Sequence, residues 1–390
     1  MARKRRKRRS EPTASDSGKS AQAKNCDTSA DPGQARAISS GGDTQKSAAA
    51  RNAQARFAAL DLGTNNCRLL IASPRPSGFR VFDAFSRIVR LGEGVGESGA
   101  LSDAAMARTI EALKICAEKI DKRAVTRQRC IATQACRAAS NGAEFLERVR
   151  EQTGLQLEII TPAEEARLSV AGCVELFDRE ARAGLIFDIG GGSTEISWIR
   201  PREGGKSENG AATDIAAWTS LPIGVVNLSE RFGGREMTDA IYKNVVEAVR
   251  KEIAAFGDPA GMKGVFRDGG AHLLGTSGTV TSIAGVHLRL PRYRREAVDG
   301  IWLNDGDVRS VTDRLRAMTY EERADEPCIG LERADLVVCG CAILDALLLE
   351  WPSNRVRVAD RGLREGILVG LSRAHRRERE KNRRRRRRRR

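Results

Sequence analysis

Two short stretches of this chain carry the residue types that phosphate chemistry needs. ALDLGTNN (59–66) and FDIGGGSTE (187–195) each end an apolar run with Asp, an apolar residue and Gly, followed by small polar residues. A turn of this composition exposes successive backbone N–H groups, and such nests bind anions. Gly63, Thr64 and Asn65 would supply the donors in the first turn, and Gly190, Gly191, Gly192, Ser193 and Thr194 in the second. Glycine suits the role because it lets the backbone approach an anion that a side chain would hold off. A third stretch, GTSGTV (275–280), leads from a strand-like run into a helical one. Its Gly275, Ser277, Gly278 and Thr279 would sit where a helix N-terminus favours negative charge. Three such turns in one chain point to a ligand with several phosphates, or to a nucleotide.

Acids stand beside the turns. Asp61 and Asp188 end the two matching apolar runs, and Glu195 closes the second turn. Carboxylates near phosphates are suited to Mg²⁺ or another divalent cation, with Asp61, Asp188 and Glu195 as the expected ligand set and Asp61 also within the phosphate turn. Phosphoryl transfer further needs a group that orients or deprotonates the nucleophile. Glu164 and Glu165, in TPAEEARL, both qualify, and Arg137 could neutralise charge on the transferred group. Each residue has a plainer explanation. Asp-x-Gly turns are common, paired Glu at a helix start complements the macrodipole, and an isolated Arg is usually a surface charge. What favours chemistry is that the two turns match, 127 positions apart. His272 and His287 flank an apolar stretch and are expected to be structural.

The elements that must position these residues repeat. RFAALDLG and NCRLLIAS predict a hairpin, GFRVFDAFSRIVRL a third strand, and LSDAAMARTIEALKICAEKIDK a helix capped by Ser102. RQRCIATQACR reads as a buried strand entering a loop, NGAEFLERVREQTG as a helix closed by Gly154, LQLEII as a strand, and the segment from Pro162 as a helix. The same grammar restarts with GLIFDIGG and STEISWI, then DIAAWTSLPI, helices at 224–256, the strand and helix of HLLGTSGTVTSIAGV, helices at 305–317 and 332–350, strand NRVRVAD and helix RGLREGILVGLSRA. An internal repeat of this kind predicts two α/β lobes with their turns facing across a cleft.

The chain has 390 residues and a net charge of +16, concentrated at its ends. Residues 1–9 carry +7 and 373–390 carry +11, whereas 56–372 sum to −2. Like-charge runs repel themselves, so both tails are expected to be disordered, with 10–55 as a polar linker. Such tails could contact polyanions such as RNA or polyphosphate. Nine cysteines without C-x-x-C spacing fit a reduced compartment, and the basic N-terminus lacks the apolar segment of a secretory signal. No apolar run is long enough to span a membrane. A cytoplasmic location is expected, and a homodimer is compatible with the sequence.

AALDLGTNNCRLLIA, IATQACRAASNGAEFLERV, LEIITPAEEARLSVAG, LIFDIGGGSTEIS, LPIGVVNLSERF and LLGTSGTVTSIAGV occur in this order. Together they resemble the exopolyphosphatase / guanosine pentaphosphate phosphohydrolase family of the actin-like ATPase superfamily. The resemblance implies an α/β protein of two ribonuclease H-like domains with an interdomain cleft, here 56–183 and 184–372. It implies Mg²⁺-dependent removal of a terminal phosphate from polyphosphate, or of the 5′-phosphate of guanosine pentaphosphate. It implies Glu165 as the base that activates water, Asp188 and Glu195 at the metal and phosphate site, and Arg137 as a site arginine. Two departures stand out. No His-Asp dipeptide exists, so the chain resembles the short, two-domain members, and the first turn reads DLGTNN, with Asn66 where many members have Ser. An actin-like kinase using ATP and a non-catalytic polyanion-binding protein are the alternatives. The placement of EEARL favours water attack over the first, and the intact acids disfavour the second.

Overall fold

The computed structural model describes residues 55–75, 78–207 and 210–389. The first half contains β1 (Phe57–Leu62), β2 (Asn66–Pro74), β3 (Phe79–Ile88), α1 (Val95–Ser98), α2 (Asp103–Lys122), β4 (Arg127–Ala132), α3 (Gln134–Ala138), α4 (Gly142–Thr153), β5 (Leu157–Ile159) and α5 (Pro162–Cys173). The second contains β6 (Ala183–Ile189), β7 (Thr194–Ser207), β8 (Gly210–Leu221), α6 (Val225–Phe232), α7 (Asp239–Ala254), α8 (Lys263–Arg267), β9 (Ala271–Thr276), α9 (Ser277–His287), α10 (Arg295–Val298), β10 (Trp302–Asn304), α11 (Asp305–Ala317), α12 (Tyr320–Asp325), α13 (Val337–Glu350), β11 (Arg355–Ala359) and α14 (Leu363–Arg388).

The repeat in the sequence is a repeat in topology. The first sheet has the order β3-β2-β1-β4-β5, and the second runs β10-β11-β9-β6-β7-β8. In each, a hairpin pairs antiparallel with its third strand while the central strand takes a parallel neighbour, β4 beside β1 and β9 beside β6. Register matches too: Asp61 lies opposite Arg68, and Asp188 opposite Glu195. The chain is thus mixed α/β with two sheets, the two-domain actin-like architecture.

Helices cover both faces of both sheets, but the two inner faces exchange them. On the outer side, Leu60, Leu69 and Ile71 of the first sheet pack with Ile110, Leu113 and Phe145 of α2 and α4. The larger outer core of the second sheet gathers Leu185, Leu273, Ile283, Val338 and Trp351. On the inner side, α5 sets Val170 and Cys173 against Ile186, Ile199 and Leu274 of the second sheet. The last helix, α14, returns to the first sheet, where Ile367 and Leu368 meet Phe57, Ala59, Leu70 and Ile131. Leu363–Ser372, expected within the second domain, thus buries its apolar face on the first lobe. The exchange requires α5 and α14 to cross closely. A Cβ on Gly172 would lie 1.9 Å from the Gly362 carbonyl oxygen, and one on Gly366 2.0 Å from that of Leu168. Any larger residue at either crossing point would force the helices, and so the lobes, apart.

Two further expectations change. The segment after β4, read as a loop, holds the short helix α3, which carries Gln134 and Arg137 on one side. The basic segment from 373, expected to be disordered, continues α14 as helix to Arg388. Arginine is a good helix former, and elongating a helix already nucleated by packing is far easier than starting one. The N-terminal tail and linker, 1–54, lie outside the described residues. Among the described residues no helix is long and apolar enough to cross a membrane. Their eight cysteines are buried and form no disulfide.

Candidate phosphate site in the interdomain cleft

A cleft of about 470 Å³ opens between the lobes, lined by both hairpin turns, the start of α9 and the start of α14. The two turns touch. A Cβ on Gly191 would lie 3.0 Å from Thr64 Cβ and 3.2 Å from the Asn65 nitrogen, and one on Gly224 would sit 2.3 Å from the Gly191 carbonyl. The second turn is therefore wedged between the first turn and the start of α6, where a side chain has no room.

Hydrogen bonds at the back of each turn aim its amides. The carbonyls of Gly190 and Gly191 accept from Val225 N (3.0 Å) and Val226 N (2.8 Å), and that of Gly192 from Asn227 Nδ2 (3.1 Å). A trans peptide points its C=O and N–H in opposite directions. The N–H groups of Gly191, Gly192 and Ser193 are thereby turned away from α6, toward the cleft. In the first turn the Thr64 carbonyl accepts from Gly92 N (2.9 Å) and that of Asn65 from Val89 N (2.8 Å), so Asn65 and Asn66 present their N–H groups in the same way. Gly63 and Gly190 do not serve as donors. Their N–H groups close the turns on Asn66 and Ser193 carbonyls, each at 2.9 Å.

Six carboxylates line the cleft; Asp61, Glu165, Asp188 and Glu195 lie on the side of the turns, and Asp360 and Glu365 beside the start of α14. Asp188 accepts from Ser169 Oγ at 3.1 Å and from the Ser277 hydroxyl. Ser277 is held at φ 76°, left-handed backbone that a non-glycine residue rarely adopts, at the head of α9. Glu195 accepts from Ser193 Oγ and Ser220 Oγ, both at 2.8 Å. Burial, reinforced by Asp188, raises its pKa to about 7. Burial likewise lifts Asp61 to about 6, against the opposing pull of Arg68 and Arg364. Glu165 is pushed well above the usual carboxylate range by burial and by the charge of Glu195, with Arg137 opposing. The structure separates the two glutamates of EEARL. Glu164 turns outward to Arg129 (2.6 Å), whereas Glu165 points into the cleft with Arg137 Nη1 3.2 Å away.

Several expected residues stand elsewhere. Arg137 does not line the cleft; it bonds the Ile160 carbonyl (2.8 Å) and Gln134 (2.7 Å) and braces Glu165 from behind. Thr194 is fully buried, its hydroxyl donating to the Ile223 carbonyl at 2.7 Å. Gly275 belongs to packing, since a Cβ there would meet the Phe187 ring at 2.5 Å, whereas Ser277, Gly278 and Thr279 do line the cleft. Asp61, Asp188 and Glu195 share the cleft, but among the described residues no three acidic or imidazole groups come together closely enough to cage a metal. His272 is buried, with Nε2 accepting from the Asp178 amide at 3.1 Å, and burial lowers its pKa to about 4, so it is a neutral structural acceptor.

The structure adds residues that the sequence reading missed. Arg68, Arg333 and Arg364 line the cleft, and among the described residues none forms an ion pair. Burial lowers the pKa of both Arg333 and Arg364, and repulsion from Arg68 adds to it. Clustered guanidinium groups drawn partly out of water need an anion for compensation. One signal for Arg68 was present: it follows Asp61 by seven positions, as Glu195 follows Asp188. Nothing local marks Arg333 or Arg364.

Fold and cleft together define a two-lobed, actin-like protein with a candidate anion site between its lobes. The sequence profile described as the Ppx/GppA phosphatase family matches residues 70–375. The chain belongs to that family, and so to the phosphohydrolases. It is 30% identical over 330 residues to Exopolyphosphatase 2 of Mycobacterium tuberculosis, covering 81% of this chain and 98% of the relative. The Bifunctional 3-dehydroquinate synthase/phosphatase of Fusobacterium nucleatum is 28% identical over 80% of this chain and 46% of its own length. Among solved structures, the Ppx/GppA family member of Aquifex aeolicus matches with TM-score 0.66 and 30% identity over 82% of this chain and 98% of that one.

Proposed function

We propose that this phosphohydrolase removes the terminal phosphate from inorganic polyphosphate, with the 5′-phosphate of guanosine pentaphosphate as the second reading. The observation that carries the proposal is the meeting, in one cleft, of two amide nests with three unpaired arginines. This combination suits a ligand of several linked phosphates better than a single phosphate ester. The apolar side chains of Leu336 and Val337 beside the arginines favour the second reading, since they could take a base.

In this scheme the amides of Asn65, Asn66 and Gly191–Ser193 hold the terminal phosphoryl group, and Arg68, Arg333 and Arg364 hold the rest of the anion. Glu165 accepts a proton from water as the water oxygen attacks the terminal phosphorus. The bridging P–O bond breaks, and the chain shortened by one phosphate leaves. Arg137 is a positioning residue that holds Glu165 toward the cleft. Mg²⁺ normally uses one or two carboxylates, waters and substrate phosphates, a set that Asp61, Asp188 and Glu195 can join, and when bound it would offset charge on the phosphates.

The test is phosphate release from long-chain polyphosphate, guanosine pentaphosphate and ATP in parallel, with Mg²⁺ and with chelator, for the native chain and for Glu165→Gln. Release from polyphosphate should dominate and should fall by about 10²–10⁴ in the variant. Preferential use of ATP, or near-native turnover by the variant, would refute the proposal.

A further inference from the structure

One helix joins the cleft to a strongly basic surface. Arg364, in the first turn of α14, lines the cleft. The helix then passes along the first sheet to the opposite ends of β1 and β4. There His375 lies edge-on to Phe57 at 5.6 Å and Glu378 pairs with Arg127, the first residues of those strands. From Arg364 to Arg388 a helix spans roughly 36 Å.

Beyond Glu378 the helix leaves the sheet. Residues 373–389 include twelve Arg or Lys and two acids. Every residue from Arg376 to Arg389 is exposed, and among the described residues Arg383–Arg389 form no ion pair. Consecutive arginines on a helix put like charges at i, i+3 and i, i+4, an arrangement that an anion running along the helix would relieve. The kind of anion is legible from what the arm lacks. It has no Phe, Tyr or Trp, and its single His is held against Phe57. Binding of single-stranded nucleic acid usually relies on aromatic stacking platforms. An arginine-rich surface without them suits a bare chain of phosphates.

We infer that the α14 arm, Arg376–Arg389, is a second binding site for long inorganic polyphosphate, remote from the cleft and linked to it by the same helix. A chain long enough to reach both sites gains from tethering, whereas a short one meets only the cleft. In its link to the cleft the inference rests on the proposed substrate; the arm's own affinity does not.

The test is equilibrium binding of fluorescently labelled long-chain polyphosphate, with chelator present to prevent turnover, to the full chain and to a variant with Arg383→Gln through Arg388→Gln together. Gln keeps helix propensity close to that of Arg. If all six arginines engage, the variant should lose about four from its log–log salt slope, equivalent to a ~300-fold change between about 50 and about 200 mM salt. Tripolyphosphate binding and far-ultraviolet helix content should be unchanged, and a six-Lys variant should restore most of the affinity. Equal affinity and slope in the six-Gln variant would overturn the inference. So would tighter binding of an RNA of matched length than of polyphosphate at the same salt. Loss of polyphosphate binding by the variant, in a chain that hydrolyses no polyphosphate, would support the arm and refute only the proposed function.

Discussion

Glu195→Gln should make the metal-free protein more stable at alkaline pH while damaging its activity. Glu195 is 4% exposed, and its Oε1 accepts from two serine hydroxyls, which a Gln carbonyl can also accept. The substitution therefore removes the charge and keeps the shape. The native carboxyl ionises near 7 instead of 4.5, chiefly through burial and then through Asp188. Below pH 4.5 the group is neutral in both folded and unfolded chains, so it costs nothing. As pH rises from 4.5 to 7 the unfolded chain sheds the proton and the folded one keeps it, so stability falls, and above 7 the whole loss is present. Ionisation near 7 instead of 4.5 corresponds to on the order of 3 kcal/mol at pH 8, shrinking to about 1 kcal/mol at pH 5. For a chain of this size the larger value is a rise of about 5 °C in melting temperature. The assay is thermal unfolding with chelator at both pH values, alongside phosphate release with Mg²⁺. If the variant melts with native Tm at pH 8, or gains equally at both pH values, then Glu195 is not a strained carboxylate and the electrostatic account of the cleft fails.

Two further perturbations test the geometry of the cleft. Gly191→Ala adds a Cβ 3.0 Å from Thr64 Cβ, so the turns must separate by a few tenths of an ångström; phosphate release should fall about tenfold or more with little change in Tm, and native kinetics would mean the turns need not touch. Arg90→Ala removes a two-point pair to Asp335 (both contacts 3.0 Å) that bridges the lobes beside the cleft. Loss of about 1 kcal/mol of closing energy should raise KM roughly fivefold with kcat nearly kept, and an unchanged KM would show that this pair does not hold the lobes together.

Much of this protein is written locally. Alternating and continuous apolar runs specify strands because burying one or both faces demands them, so both hairpins and their common order were legible. The glycine turns were legible because few other residues permit such backbone, and the Glu164–Glu165 pair because Pro162 marks the helix start that carries it. EEARL alone did not tell Glu164 from Glu165; that depends on Arg129 drawing one outward and Arg137 holding the other inward. Arg137 lies on a short helix where a loop was expected, and its partners there are the Ile160 carbonyl, Gln134 and Glu165.

What the sequence by itself determined is the duplicated α/β plan and the two glycine turns, because both follow from patterns within about ten residues. Tertiary structure alone decided the exchange of α5 and α14 between the inner faces, the contact between the two turns, and the gathering of Arg68, Arg333 and Arg364. These depend on side chains hundreds of positions apart, and a guanidinium leaves no local trace of whether it will meet water, a carboxylate or two other arginines. It also decided that the arginine-rich segment continues a packed helix. Its composition predicts self-repulsion, but propagation from ten residues already anchored on the first sheet outweighs it.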